Sequence, residues 1–118
     1  MINFRLGEKI ARAFEVKQSL HGKGIFYITN FGAYLETQRN GLVLDLPFEI
    51  LKAYKNTGRN SFKIEWAQDD HRLHYEFKVE GSAKQVFDTY TVANKEFAYS
   101  VSEVDALKQK CVCQNMRN

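Results

Sequence analysis

Apolar and polar positions alternate with a period of two through the middle of this chain. Phe62, Ile64 and Trp66 alternate with Lys63 and Glu65, and Leu73, Tyr75, Phe77 and Val79 alternate with His74, Glu76, Lys78 and Glu80. Successive side chains of a strand point to opposite faces, so both runs predict strands with one apolar and one wet face. Gln68-Asp69-Asp70 supplies turn chemistry between them, and the pair reads as an antiparallel hairpin. The period then changes. After the break at Gly81, Ser82 and Gln85 have the spacing of a capping box, and Val86, Phe87, Tyr90, Ala93, Phe97 and Val101 fall on one helical face.

Upstream, residues 1–9 are short and mixed, with a turn at Leu6-Gly7-Glu8. The run from Ile10 to Lys17 predicts a strand carrying Ile10, Phe14 and Val16 on one side, although its alanines and Arg12 leave a helix open. Residues 19–24 form a loop whose glycines, Gly22 and Gly24, are free to take positive φ. Ile25 to Thr29 is β-prone and apolar on both faces, as suits a strand in the middle of a closed structure. Asn30-Phe31-Gly32 turns the chain back into Ala33 to Thr37, and Asn40-Gly41 marks a second tight hairpin. The strand from Leu42 to Leu46 stops at Pro47, which cannot donate to a ladder. Ile50 to Lys55 would tolerate a helical turn after Pro47, but its position favours a fifth strand.

The total is seven strands followed by one helix, mainly β in class. At this length such a sheet curls into a barrel or sandwich, and the helix can plug its open end with the apolar stripe. The predicted domain spans residues 6–101. Residues 102–118 read as a continuation of the helix, a second short helix or a frayed polar tail. The ending at Asn118 leaves open that this is the front of a longer protein.

Composition narrows the functional classes. Nine Phe, six Tyr and one Trp against a single Pro favour strands over a helical bundle. The net charge of +3 suits an anionic partner without marking a dedicated nucleic-acid protein. No apolar run approaches the ~20 residues of a membrane-spanning helix, and the first residues lack the apolar core of a signal peptide. Cys111 and Cys113, two positions apart, cannot staple a fold, which points to a reducing, cytoplasmic setting.

The order of elements resembles the pleckstrin-homology (PH) superfold. Gly22-Lys-Gly-Ile-Phe-Tyr-Ile-Thr-Asn30 is similar to a segment of the PH-like domains of the GRAM and GLUE groups. Leu46-Pro-Phe-Glu-Ile50, the early Gly7-Glu8 and the run from Phe77 to Phe87 are similar to further segments, so the likeness covers about residues 6–98. Where these families often place a basic residue after the Thr-Asn pair, this chain has Phe31 and then Gly32. The resemblance implies a non-enzymatic adaptor that binds an anionic lipid surface, a protein partner or both, and a peripheral place on membranes. The GLUE group further implies sorting machinery of the ESCRT type and ubiquitin binding.

In PH domains, basic residues near the first hairpin loop hold lipid head groups. Carried over, this selects Lys17, His21 and Lys23, with Leu20 as an apolar wedge and Arg39 from the neighbouring loop. Ile25 stands where the tighter family pattern has an arginine, and Asp69 and Asp70 would oppose an anion. A second basic group, Lys52, Lys55, Arg59 and Lys63, surrounds the 56–60 turn; it reads either as a protein-binding face or as lysine protection of a strand edge. Ubiquitin binding would fall on the exposed side of the helix, at Val92 and Ala98, and on the adjoining strand.

No catalytic constellation, metal site or cofactor is expected. His71 and His74 lie three apart on a strand, so their imidazoles face opposite ways. Cys111-Val-Cys113 has no partner pair to complete four metal ligands. The competing class is a small β-barrel that binds nucleic acid. The outward face of the 61–80 hairpin is mixed in sign and has no aromatic for base stacking, which weighs against it.

Overall fold

The computed structural model describes residues 2–117, with side chains described for residues 2–100. Seven strands form one antiparallel sheet: β1 (Ile10–Gln18), β2 (Gly22–Thr29), β3 (Gly32–Thr37), β4 (Gly41–Pro47), β5 (Leu51–Asn56), β6 (Ser61–Gln68) and β7 (His71–Val79). A 3₁₀ turn, Phe48–Ile50, links β4 to β5, so the helical turn and the fifth strand both exist. One helix, α1 (Ala83–Arg117), follows without interruption. Val101 and the Cys111–Cys113 pair lie outside the residues whose side chains are described.

The strand order is β4-β3-β2-β1-β7-β6-β5. The sheet curves but does not close, since β4 and β5 are its two free edges. The helix covers the concave side. Val86 and Tyr90 are fully buried, and the Tyr90 ring stacks on Tyr54 at 4.8 Å and packs against Phe26, Phe48 and Phe62. Phe87 and Phe97 are only half-buried, packed against Tyr54 and Phe48 respectively. Each fully buried apolar side chain in this plug contributes about 1.5–3 kcal/mol.

Several expectations need correction. β2 is not apolar on two buried faces: Ile25 lies 37% exposed on an open outer surface, because the sheet is a curved single layer. Ile10 does not join Phe14 and Val16, since an irregularity between Ile10 and Arg12 shifts the alternation and leaves it exposed. Leu73 is 40% exposed, because β7 runs on past the last residue that pairs with β1. Of the two loop glycines only Gly22 has positive φ; Gly24 is inside β2, where a Cβ would come within 2.5 Å of the Glu36 carbonyl. The capping box is half made. Ser82 Oγ accepts from the Lys84 N–H, but the Gln85 side chain turns instead to the Arg12 guanidinium.

The tight β6–β7 turn has both Asp69 and Asp70 at positive φ, the mirror-image turn that suits the twist of a hairpin. It projects β7 beyond β1. That mismatch of lengths positions the region described next.

Candidate functional site

β1 joins the two halves of the sheet. With β2 it pairs over its whole length, from Ile10↔Thr29 to Gln18↔Gly22. With β7 it makes only two pairs, Val16↔Val79 and Lys17↔Lys78. Beyond Lys17 the strands part and a cleft of about 870 Å³ opens. The 17–21 segment forms one wall, and His74, Tyr75, Glu76, Phe77 and Lys78 form the other.

The loop that faces this cleft is held from below. Gln18 Oε1 accepts from the backbone N–H groups of Leu20 and His21, at 2.7 and 2.8 Å. Arg39 donates to the Leu20 carbonyl at 3.2 Å, and His21 Nδ1 is 2.8 Å from Asn40 Oδ1. The His21 ring also stacks on Tyr75 at 6.0 Å. Leu20 is left at the tip, 68% exposed. Arg39 and His21 thus hold the loop in shape, while Lys17 and Lys23 stand on the outer face.

The register adds a residue that sequence reasoning missed. Lys17 is directly opposite Lys23 on β2 and directly opposite Lys78 on β7, so three lysines occupy one row across three adjacent strands. Strands lie ~4.8 Å apart, which sets the spacing of the row. All three are exposed, and Lys17 and Lys78 make no ion pair among the described residues. The alternation predicted that Lys78 points outward. Its neighbours depended on which strands become adjacent.

Lys52, Lys55, Arg59 and Lys63 lie elsewhere, on β5, β6 and their turn. Lys52 sits at an irregularity in the β5–β6 ladder on a free edge, a placement that deters pairing with another chain. Lys55 is opposite Lys63, and Lys63 is 3.5 Å from Glu65, whose other oxygen takes Arg72 at 2.5 Å. The Arg72 hydrogen bond, opposed by desolvation and aided by the charges of Arg72 and Lys63, holds the Glu65 carboxyl below its usual range. Val92 and Ala98 are exposed on α1, but Val92 borders a shallow hollow beside Ala11 of β1. It is not gathered with the basic residues of β5 and β6. His71 and His74 do not converge: they lie opposite Gln68 and Glu65, three positions apart on β7 and so on opposite faces.

At the other end of β1 a second polar group was hidden in the sequence. Glu8 accepts from Thr29 Oγ1 at 2.5 Å, from the Tyr34 hydroxyl at 2.8 Å and from the Arg5 N–H at 2.8 Å. Thr29 Oγ1 in turn accepts from the N–H groups of Phe31 and Gly32, both at 3.1 Å. Asn30 Oδ1 accepts from the Lys9 N–H, and its amide donates to the Gly7 carbonyl. Phe4 lies edge-on over Tyr34 at 5.5 Å. Partial burial alone would raise the Glu8 pKa, but the hydrogen bonds from Thr29, Arg5 and Tyr34 outweigh it and lower it. Burial first, then the Glu8 carboxylate, pushes the Tyr34 hydroxyl up. The Gly7-Glu8 and Thr29-Asn30 pairs are therefore hydrogen-bonded to one another and serve structure.

Among the described residues no group of three or more His, Cys, Asp or Glu is placed to hold a metal ion, and no helix is long and apolar enough to cross a membrane. No family model matches the chain, and no curated protein matches it in sequence. In fold it is similar to the solved structure of a mutant MyTH4-FERM MF2 domain of Dictyostelium discoideum myosin VII. The TM-score is 0.60 over 72% of this chain, with 13% identical residues, and the chain spans 17% of the length of that structure. A likeness at that identity is one of fold, and FERM domains include a PH-like fold. Seven antiparallel strands in this order with a helix over the concave side make the fold of this chain PH-like.

Proposed function

We propose that this PH-like unit is a non-enzymatic recognition module whose first-hairpin end meets an anionic phospholipid surface. The observation that supports this reading is the row Lys23–Lys17–Lys78. Like charges directly opposite one another on a sheet are destabilising, so the row costs stability in the free protein. An anion placed over Lys17 would relieve both repulsions at once. Leu20, held at the loop tip beside the row, supplies an apolar contact for the acyl boundary. The attraction of each lysine to an anionic surface is about 1 kcal/mol and falls off within a Debye length, so binding is weak and salt-sensitive.

Flotation with phosphatidylserine-containing vesicles tests this. The unaltered chain floats at low salt and is released as salt rises. The Lys17→Glu and Lys23→Glu variants lose most of that binding. Flotation indifferent to both changes would place any membrane contact elsewhere. The GLUE-type reading, with ubiquitin on Val92 and Ala98, is tested separately. If ubiquitin at millimolar concentration shifts no resonance on α1, that partner is dismissed.

A further inference from the structure

In an antiparallel sheet each residue directs its N–H and C=O to one neighbouring strand, and the next residue directs them to the other. On β7 the phase is fixed by two hydrogen bonds. The Val79 N–H donates to the Asn60 carbonyl on the β6 side at 2.7 Å, and the Glu80 N–H donates to Glu15 on the β1 side at 2.9 Å. Odd-numbered residues of β7 therefore bond to β6, and even-numbered ones face β1. Lys78 meets Lys17 there, and the ladder then ends. The main-chain groups of Glu76, His74 and Arg72 face the space that β1 has left, and on that side no strand among the described residues pairs with them. An unpaired strand edge thus lies inside the strand order rather than at its rim, with the cleft in front of its inner part.

The side chains of that edge are sorted by face. Leu73 and Tyr75 point to the concave side; Leu73 is exposed, and the half-buried Tyr75 has a buried hydroxyl with no partner among the described residues. His74, Glu76 and Lys78 point outward beside Lys17.

We propose that this cleft takes one extended segment of a partner protein, added to the edge of β7 along the line that β1 abandons. A row of alternating donors and acceptors is matched by another strand. A phosphate offers only acceptors, and the single ammonium of a serine head group cannot match three carbonyls spaced along a strand. The segment carries apolar residues at alternate positions, against Leu73 and Tyr75. On its other face it carries a carboxylate near Lys17 and Lys78, which make no ion pair among the described residues. This inference goes beyond the membrane reading and does not require it.

The test is selection of a displayed library of random twelve-residue peptides on the full chain, in parallel with His74→Pro. Position 74 sends its N–H into the cleft and not to β6, so proline there removes a docking donor and no ladder bond of the hairpin. Enriched peptides should alternate apolar and polar residues, include an acidic one, and bind His74→Pro about tenfold more weakly. On the unaltered chain they should slow amide exchange at Arg72, His74 and Glu76. Flotation on phosphatidylserine vesicles should be the same for His74→Pro and the native chain, which separates this site from the lysine row. Should the proline variant not fold, the amide readout decides alone. The proposal is overturned by the absence of any enriched sequence, by equal binding to His74→Pro, or by protection confined to other strands. Slowing of those three amides by the vesicles, with no peptide enriched, would assign the cleft to the membrane and overturn it equally.

Discussion

The two ends of the β1–β2 hairpin are built in opposite ways. At the Ile10–Thr29 end, Glu8, Thr29, Asn30 and Tyr34 satisfy one another and the backbone of the first nine residues. At the Gln18–Gly22 end, three lysines share a row and a strand edge faces open space. Tyr75, beside it, has a hydroxyl with no partner among the described residues. Hydrogen bonds completed within the chain favour the folded state. Lysines and main-chain groups left unmatched at the surface are open to a partner, unlike the buried Tyr75 hydroxyl. The contrast separates residues that hold this fold from those the proposed function uses.

The largest test of the contrast is removal of its satisfied hub. Glu8→Ala leaves the Tyr34 hydroxyl without its acceptor and frees the N-terminal segment, and urea denaturation should show a loss of about 2–3 kcal/mol. A variant as stable as the native chain would show that the cluster is incidental. The same group predicts a pH dependence. Because folding lowers the Glu8 pKa, its contribution is full above the ordinary glutamate value of about 4.3 and is lost as pH falls through the folded value. Glu8→Gln should therefore be less stable than the native chain at pH 7, and the gap should narrow below about pH 4. A constant gap would assign the acid sensitivity to other carboxylates, Glu65 among them.

A matched pair of smaller changes compares the ends directly. Tyr34→Phe deletes a hydroxyl that donates to Glu8 and should cost about 1 kcal/mol, whereas Tyr75→Phe deletes one without a partner and should be neutral or stabilising. Equal costs would erase the distinction. Smallest of all, Lys17→Glu turns two like-charge cross-strand pairs into opposite-charge ones and should raise the melting temperature slightly, a gain of about 0.2–1 kcal/mol. Gained stability with lost vesicle binding is the signature expected of a residue placed for recognition.

Much of the fold was legible because it follows from local period. The alternation in β6 and β7, the turn at Asp69-Asp70, the break at Gly81 and the helical stripe through Tyr90 each declare themselves within about ten residues. What could not be read depends on adjacency between distant segments. Nothing local places Lys78 beside Lys17, sixty-one positions away by subtraction of their numbers, and nothing local brings Glu8 to Thr29. The burial of Ile25 was overestimated for the same reason, since a strand's outer face is covered or open according to what the rest of the chain does. The resemblance selects the loop residues Lys17, His21, Lys23 and Arg39 as a group, whereas the structure divides them: His21 and Arg39 brace the loop, and the lysines line the row.

The short seam between β1 and β7 has a mechanical consequence. Two residue pairs stitch the leaf made of β1 to β4 to the leaf made of β5 to β7. Beside those pairs and the Glu80–Glu15 hydrogen bond, their union is a shared apolar core, the rings of Phe26, Phe62, Phe77 and Tyr90 together with Val16, Ile28 and Val79. Ladders fix strands in discrete register, whereas a close-packed core holds its neighbours by side-chain fit and transmits strain. The angle between the leaves is thus set mainly by core packing, and a guest strand paired along β7 would lengthen the ladder beside that short seam.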